Sequence, residues 1–424
     1  LWEAQVLMDR LAPDYDSRIV LTEENKNKAV SYELWLQLLE TALKARRGED
    51  SLYSYGFRRG NAVLLSAEGT FDTGTFTAAG IDLQPYLFSR ITFWEKDGEI
   101  VALLTMEAAS PVLQNVYCRK EKGKLVIETG AGEAIFVYKG KIKEGICDVK
   151  LENGKVAEVT PAASLGRCTV KRVNDKEILL MGKGTLKWGE NVRIYGTDGE
   201  NVEKTDIICG TDGAEFFGKE GKVCGVVIRE RAVPEKIRVF LKGKEQEKVT
   251  ISAKEGFTLS NGKAEKKFKG GKKVLLTADL PWFSHGILTV TGKSTVCIEF
   301  SDGTAYEYEG ILELEKRGEN NFSIISELPL ERYLLGVVPH EMPVSFGQTA
   351  LEAQTIAARS FAYNQFYGNT YCDYGAHVVD TTASQVYLGY SENKTVEAAV
   401  QATMVAAAEA AATHLVELAV RHLF

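Results

Sequence analysis

The sequence predicts an α+β, multidomain protein: β-rich hairpin modules followed by a mixed α+β segment toward the C-terminal end. Three observations carry that expectation. Asn-Gly, Asp-Gly or Glu-Gly pairs recur at 97–98, 153–154, 220–221, 261–262 and 302–303, between alternating or β-branched runs. Such pairs suit two-residue hairpin turns, whose central residues both need positive φ. Glycine is abundant and proline scarce, 39 against 9, as in a succession of short antiparallel strands. Helical spacing of apolar residues is confined to one stretch near the start and to the region after Leu328. With 424 residues the chain is too long for one ordinary core, and about two to four domains are expected.

Residues 1–115 read as a mixed α/β module. Val30, Leu34, Leu38 and Leu39 fall at helical spacing, Ser31 or the residues before it suit the helix start and Gly48 its stop. Ile91–Met106 then reads as a hairpin turning at Asp97-Gly98. Residues 116–234 read as a β-rich, barrel-like module in which no residue looks chemical, so spacing or docking is its expected role. Val233-Pro234 marks a boundary. Strands resume from Lys236, a short helix is expected over Glu331–Gly336, and a longer one over Thr349–Phe366. Residues 404–424 read as an Ala-rich helical segment.

Hydrophobic residues make up 45% of the chain and charged ones 26%, as in a globular protein. Net charge is −7 and no basic block is paired with aromatic platforms, which argues against nucleic acid as a partner. The lysines at 263, 266, 267, 269, 272 and 273 are interrupted by glycines and read as a solvated hairpin rather than an anionic-polymer site. No apolar run approaches the ~20 residues that span a bilayer. The chain begins at Leu1 with no basic–apolar leader, so a membrane anchor is compatible only outside these residues. Seven cysteines lack CxxC spacing and read mainly as small buried hydrophobes; a Cys209–Cys224 bridge stays open.

One motif concentrates the chemistry. Glu341 stands between the apolar run ending at Val338 and a turn fixed by Pro339 and Pro343. Val337, Val338, Met342 and Phe346 are expected to surround it with apolar groups, which would raise the proton affinity of a general acid. Against this stands the ordinary role of a glutamate near a helix start, capping or dipole compensation.

YLLGVVPHEMP (333–343), ALEAQTIAARSFAY (350–363) and DTTASQVYLGY (380–390) together resemble the linked signatures of the stage II sporulation protein D (SpoIID) family, also called the amidase-enhancer family. The resemblance runs from about Lys236 to Thr403 and is densest from Leu328 to Tyr390, which makes 235–403 a SpoIID-like catalytic domain of mixed α+β type. Beyond Thr403 the Ala-rich segment is unlike the family's continuation.

The resemblance implies a peptidoglycan lytic transglycosylase, cleaving between N-acetylmuramic acid and N-acetylglucosamine and leaving a 1,6-anhydro sugar. Most glycosidases need two carboxylates. Here the sugar's own 6-hydroxyl attacks, an intramolecular route worth up to ~7–11 kcal/mol when well oriented, so one residue, Glu341, can serve as acid and then base. Arg359 matches a family site position, and could hold sugar oxygens in a bidentate way or form a structural ion pair. Gln354 is expected to bind an acetamido group or to satisfy buried backbone. Gln385 and Tyr387, on a strand-like run, share one face; Tyr387 either stacks on sugar or fills the core. His340 is assigned to substrate binding. Asp380 and His377 are spaced for a metal, but Val379, Ala383 and Ser384 stand where zinc-binding relatives have Cys, His and Cys, so no metal and no other cofactor is expected. The implied setting is the cell envelope, outside the cytoplasm, during sporulation. The implied partners are glycan strands, including peptide-stripped ones, and a cell-wall amidase. The competing expectation is a non-catalytic glycan-binding activator of that amidase.

Overall fold

The computed structural model describes residues 6, 22–24, 26–47, 56–78, 80–107 and 110–404. Gly48, and all of the expected 404–424 helix except Met404, lie outside the described residues. The first described helix, α1, spans Tyr32–Arg47. Ser31 caps it as anticipated, its Oγ accepting the Leu34 N–H at 3.2 Å. Trp35 and Leu39 pack α1 onto Trp94 and Ala102 of the adjoining hairpin, whereas Leu34 is exposed.

That hairpin, Arg90–Lys96 with Glu99–Glu107, belongs to a four-stranded sheet with Phe57–Ser66 and Thr70–Phe71. Its turn uses Asp97 and Gly98 at φ 52° and 80°. Asn153-Gly154 and Glu220-Gly221 are left-handed at both residues in the same way. At 261–262 and 302–303 only the glycine is. The first of these hairpins closes through a longer turn, in which Asn261 Oδ1 accepts the N–H groups of Lys263 and Ala264.

The β-rich, barrel-like module expected over 116–234 holds two sheets. A five-stranded sheet begins at Val112, ahead of the expected boundary, and ends at Pro161; its edge strands Glu133–Val137 and Lys155–Pro161 approach one another as it curls. A six-stranded sheet follows over Ala163–Ile228. Hairpin signals reveal local strand pairs but not which pairs join into one sheet, because that choice is non-local. Tyr117, Ile146, Tyr195, Phe217, Cys224 and Val227 fill the space between the two. All seven cysteines are free thiols, including Cys209 and Cys224.

From Lys236 the chain builds a seven-stranded sheet in the spatial order Glu265–Phe268, Phe257–Ser260, Leu288–Gly292, Ile311–Arg317, Asn321–Pro329, Lys236–Phe240, Val378–Val379. Only the last pair is parallel. One face shares a core with a four-stranded sheet, Val274–Thr277, Lys248–Ser252, Val296–Phe300 and Ala305–Tyr308, and with two helices, α2 (Leu330–Glu341) and α3 (Gln348–Gly368).

The opposite face meets the six-stranded sheet through buried charge. Arg238 binds Glu313 at 2.7 Å and also pairs with Glu327, while Lys171 from the six-stranded sheet reaches Glu313 at 2.5 Å. Asn369 donates to the Thr205 and Ile207 carbonyls. Residue 235 therefore divides sheets that are packed together.

Helix α2 is longer than the expected 331–336. Pro339 lies inside its last turn, where a missing N–H and a ring clash disrupt least of the helix, and the Met342 N–H closes it on Val338 at 2.9 Å. Segment 384–390, read as strand-like, joins no ladder.

Candidate active site

Glu341 is the last residue of α2, not a residue of a turn, and its side chain is exposed. The expected apolar sheath is absent. Val337 and Val338 are fully buried on the core side, whereas Phe346 is 66% exposed. Glu341 Oε1 accepts the Val386 N–H at 2.7 Å, a charge-assisted bond, and among the described residues it forms no salt bridge. His340 is exposed, and partial burial of its ring lowers its pKa.

The loop carrying Val386 is seated by two glycines. A Cβ on Gly336 of α2 would lie 2.3 Å from the Gly389 carbonyl oxygen and 2.6 Å from the Tyr387 ring; one on Gly389 would lie 2.2 Å from the Glu307 carbonyl. Gly336→Ala should therefore cost about 1–3 kcal/mol of stability and pull Val386 away from Glu341. Urea denaturation, with amide exchange at Val386, checks both; unchanged values would contradict this packing.

Gln385 and Tyr387 do share a face, and it is the inner one: they are 6% and 1% exposed. Gln385 Oε1 accepts the Tyr333 hydroxyl at 3.1 Å, and the Tyr387 ring lies 5.1 Å from Tyr333 and 6.1 Å from Tyr308. Burial, then the nearby Tyr387 and the charge of Glu341, hold the Tyr333 phenol well above its ordinary pKa. Tyr387 thus fills the core, the second of its two expected places, and with Gln385 it packs beneath the loop that carries Val386.

Arg359 forms the structural ion pair that was one of its two expected roles. Its guanidinium, 3% exposed, forks onto Glu331 at 2.9 and 2.7 Å and donates to Thr403 Oγ1 at 3.2 Å and the Val400 carbonyl at 3.3 Å. It ties the start of α2 to α3 and to the helical residues 394–404. Gln354 is half-buried on α3.

His377 and Asp380 do not converge as a metal pair. His377 Nδ1 accepts the Arg238 N–H at 3.2 Å, so its Nε2–H donates to the Cys209 carbonyl at 2.9 Å. Both ring nitrogens are thereby occupied, and burial drops the imidazole pKa to about 3. Among the described residues no group of three or more His, Cys, Asp or Glu could hold a metal.

Asp380 is a residue whose part the sequence did not disclose, although it opens the third motif. Its Oδ2 accepts the Lys242 N–H at 2.8 Å, and its carbonyl accepts the Tyr387 N–H, pinning the neck of the loop. Oδ1 is buried without a hydrogen bond. Burial raises the Asp380 pKa from 3.8 to about 6, with the Lys242 N–H and charge opposing. The folded state therefore holds this proton more tightly than the unfolded chain, and stability falls as pH rises from about 4 through 6. Asp380→Asn keeps an oxygen for Lys242 and removes the buried charge. It should be more stable than the wild type at pH 7, by up to about 3 kcal/mol, and so melt higher, with the gap closing by pH 4; a lower thermal midpoint at pH 7 would refute this account.

Residues 318–410 match the family described as Stage II sporulation protein. The match covers both helices and the Val386 loop, begins well after Lys236 and reaches beyond Thr403. The chain is similar to the Amidase enhancer of Bacillus subtilis (strain 168), 46% identical over 70 residues, 16% of this chain and 9% of that protein. Stage II sporulation protein D of the same organism is 40% identical over 72 residues, 16% of this chain and 21% of that protein. An uncharacterized protein of Brachyspira hyodysenteriae is 35% identical over 115 residues, 26% of this chain and 31% of that protein. The chain thus aligns with under a third of each of these relatives. The segment that builds α2, α3 and the Val386 loop thus matches the SpoIID family of stage II sporulation proteins.

Proposed function

We propose that this protein cleaves peptidoglycan glycan strands as a lytic transglycosylase in the cell envelope, remodelling the wall during sporulation. The observation that carries the reading is an exposed carboxylate at a helix end, held by a backbone N–H and free of any ion pair among the described residues. Such a group is positioned yet open to a substrate. Glu341 would give its proton to the glycosidic oxygen as the bond from C1 of N-acetylmuramic acid breaks. The 6-hydroxyl of the same sugar would close on C1, and its proton would return to Glu341. No water enters and no second carboxylate is needed, in contrast to hydrolytic glycosidases. His340, exposed beside Glu341, and half-buried Gln354 are the candidates for touching the glycan. Arg359, Gln385 and Tyr387 would act from beneath, fixing α2 and the Val386 loop.

A second reading has one specific support, the name of the similar Amidase enhancer of Bacillus subtilis. In it, the same surface binds glycan strands and stimulates a partner amidase without breaking a glycosidic bond. Digestion of purified glycan strands, with and without stem peptides, followed by mass spectrometry, separates the two. Anhydro-ended fragments from the wild type support cleavage; their absence, alongside faster amidase turnover when this protein is added, supports the second reading.

A further inference from the structure

The lysine-rich segment folds as an exposed hairpin. Strand Glu265–Phe268 is the outer edge of the seven-stranded sheet. Past it, the turn at 269–273 folds back onto the turn at 254–256. The Gly271 N–H bonds the Ala253 carbonyl at 2.9 Å. A Cβ on Gly270 would lie 2.1 Å from the Lys254 carbonyl oxygen, and one on Gly256 2.4 Å from that of Phe268. This close backbone approach gathers lysines 254, 269, 272 and 273 at one corner. Lys293 adjoins them, one residue beyond Gly292, which pairs with Phe257.

Charge is segregated there. Residues 253–273 hold seven lysines against two glutamates, +5, so the rest of the chain carries −7 − 5 = −12. Lys267 and Lys273 have carboxylates at 3.5 and 2.9 Å, and Lys254 one at 4.0 Å. Among the described residues, none lies within 4.0 Å of Lys263, Lys266, Lys269 or Lys272, and all four are exposed. Lysines on an edge strand guard against sheet-to-sheet pairing, which accounts for Lys266 and Lys267. It does not account for those in the turns.

We propose that this corner is a docking surface for an anionic envelope polymer with phosphodiester repeats. Lysine meets phosphate as a point charge, whereas carboxylates favour the arginine fork, and 253–273 contains no arginine. The two aromatic residues there, Phe257 and Phe268, stack on one another at 4.9 Å; Phe257 is buried and Phe268 half-buried. Neither is presented to nucleic-acid bases. The turns 254–256 and 269–273 hold no apolar residue that could enter a bilayer.

The test is binding of the full chain to poly(glycerol phosphate) at about 0.1 M salt, where charges act over roughly 10 Å. The double variant Lys269→Glu/Lys272→Glu should bind about tenfold or more weakly, with an unchanged thermal midpoint. Lys139→Glu/Lys141→Glu, exposed lysines elsewhere with the same change in net charge, should bind as the wild type does. Equal loss in both double variants, no wild-type binding, or tighter binding to duplex DNA, polyglutamate or phosphatidylglycerol vesicles overturns the proposal. It is independent of Glu341: polymer binding without anhydro products would keep this inference and remove the catalytic one.

Discussion

Replacing Glu341 with glutamine is expected to slow release of anhydro-ended fragments by about 100- to 10,000-fold, the usual contribution of a positioned general acid–base group. The substitution is nearly isosteric, and the amide oxygen can still accept the Val386 N–H that now reaches Oε1 at 2.7 Å. Fold and loop position should therefore survive, and the loss should fall on kcat with KM little changed. Glutamine cannot deliver a proton to the leaving oxygen, nor take one from the 6-hydroxyl. The measurement is a single-turnover digest of glycan strands, with binding to the same strands followed separately. Cleavage at wild-type rate by the variant would remove Glu341 from the reaction.

The largest expected stability effect lies on the other side of the sheet. Arg238 is 1% exposed and bonds Glu313, Glu327 and the Gly375 carbonyl, the last at 2.6 Å. Arg238→Met would leave two buried carboxylates with Lys171 as their main counter-charge, and breaking such a cluster from one side costs about 3–5 kcal/mol. The pH dependence follows from the same groups. Burial alone would raise the Glu313 pKa, but the charges of Arg238 and Lys171 outweigh it and hold it at about 2, below its ordinary 4.5; Glu327 is lowered for the same reasons. A lowered carboxyl stabilises the fold above its unfolded pKa, and that stability drains away as pH falls from about 4.5 toward 2. Wild type should thus lose stability steeply on acidification, while Arg238→Met starts lower and falls less. Chemical denaturation at pH 7 and pH 3 decides, and parallel curves would contradict the assignment.

Local signals were legible in the sequence. Ser31 caps α1, Asp97-Gly98 turns its hairpin, and helices form over both expected C-terminal stretches, the first running on to Glu341. The motif around Glu341 also pointed to the residue now found at the helix end. What the sequence hid depends on distant partners. The Arg359 fork onto Glu331 joins residues 28 apart, and the Lys171–Glu313 bond joins residues 142 apart. Tyr387 is a buried brace because Gly336 and Gly389 admit the loop, a steric fact no single-residue propensity encodes. The apolar surroundings expected of Glu341 failed for a related reason: Val337 and Val338 are neighbours in sequence, but helix geometry turns them inward.

The order of strands in the seven-stranded sheet has a consequence for biogenesis. Strand Lys236–Phe240 sits between Asn321–Pro329 and Val378–Val379, so a nascent chain emerging from its N-terminus must hold that strand unpaired until partners some 80 to 140 residues later are made. Such long-range closure is slow and leaves backbone donors exposed in the interim. Maturation of this half should therefore lag behind the hairpin modules upstream, which can settle almost as soon as they are synthesised.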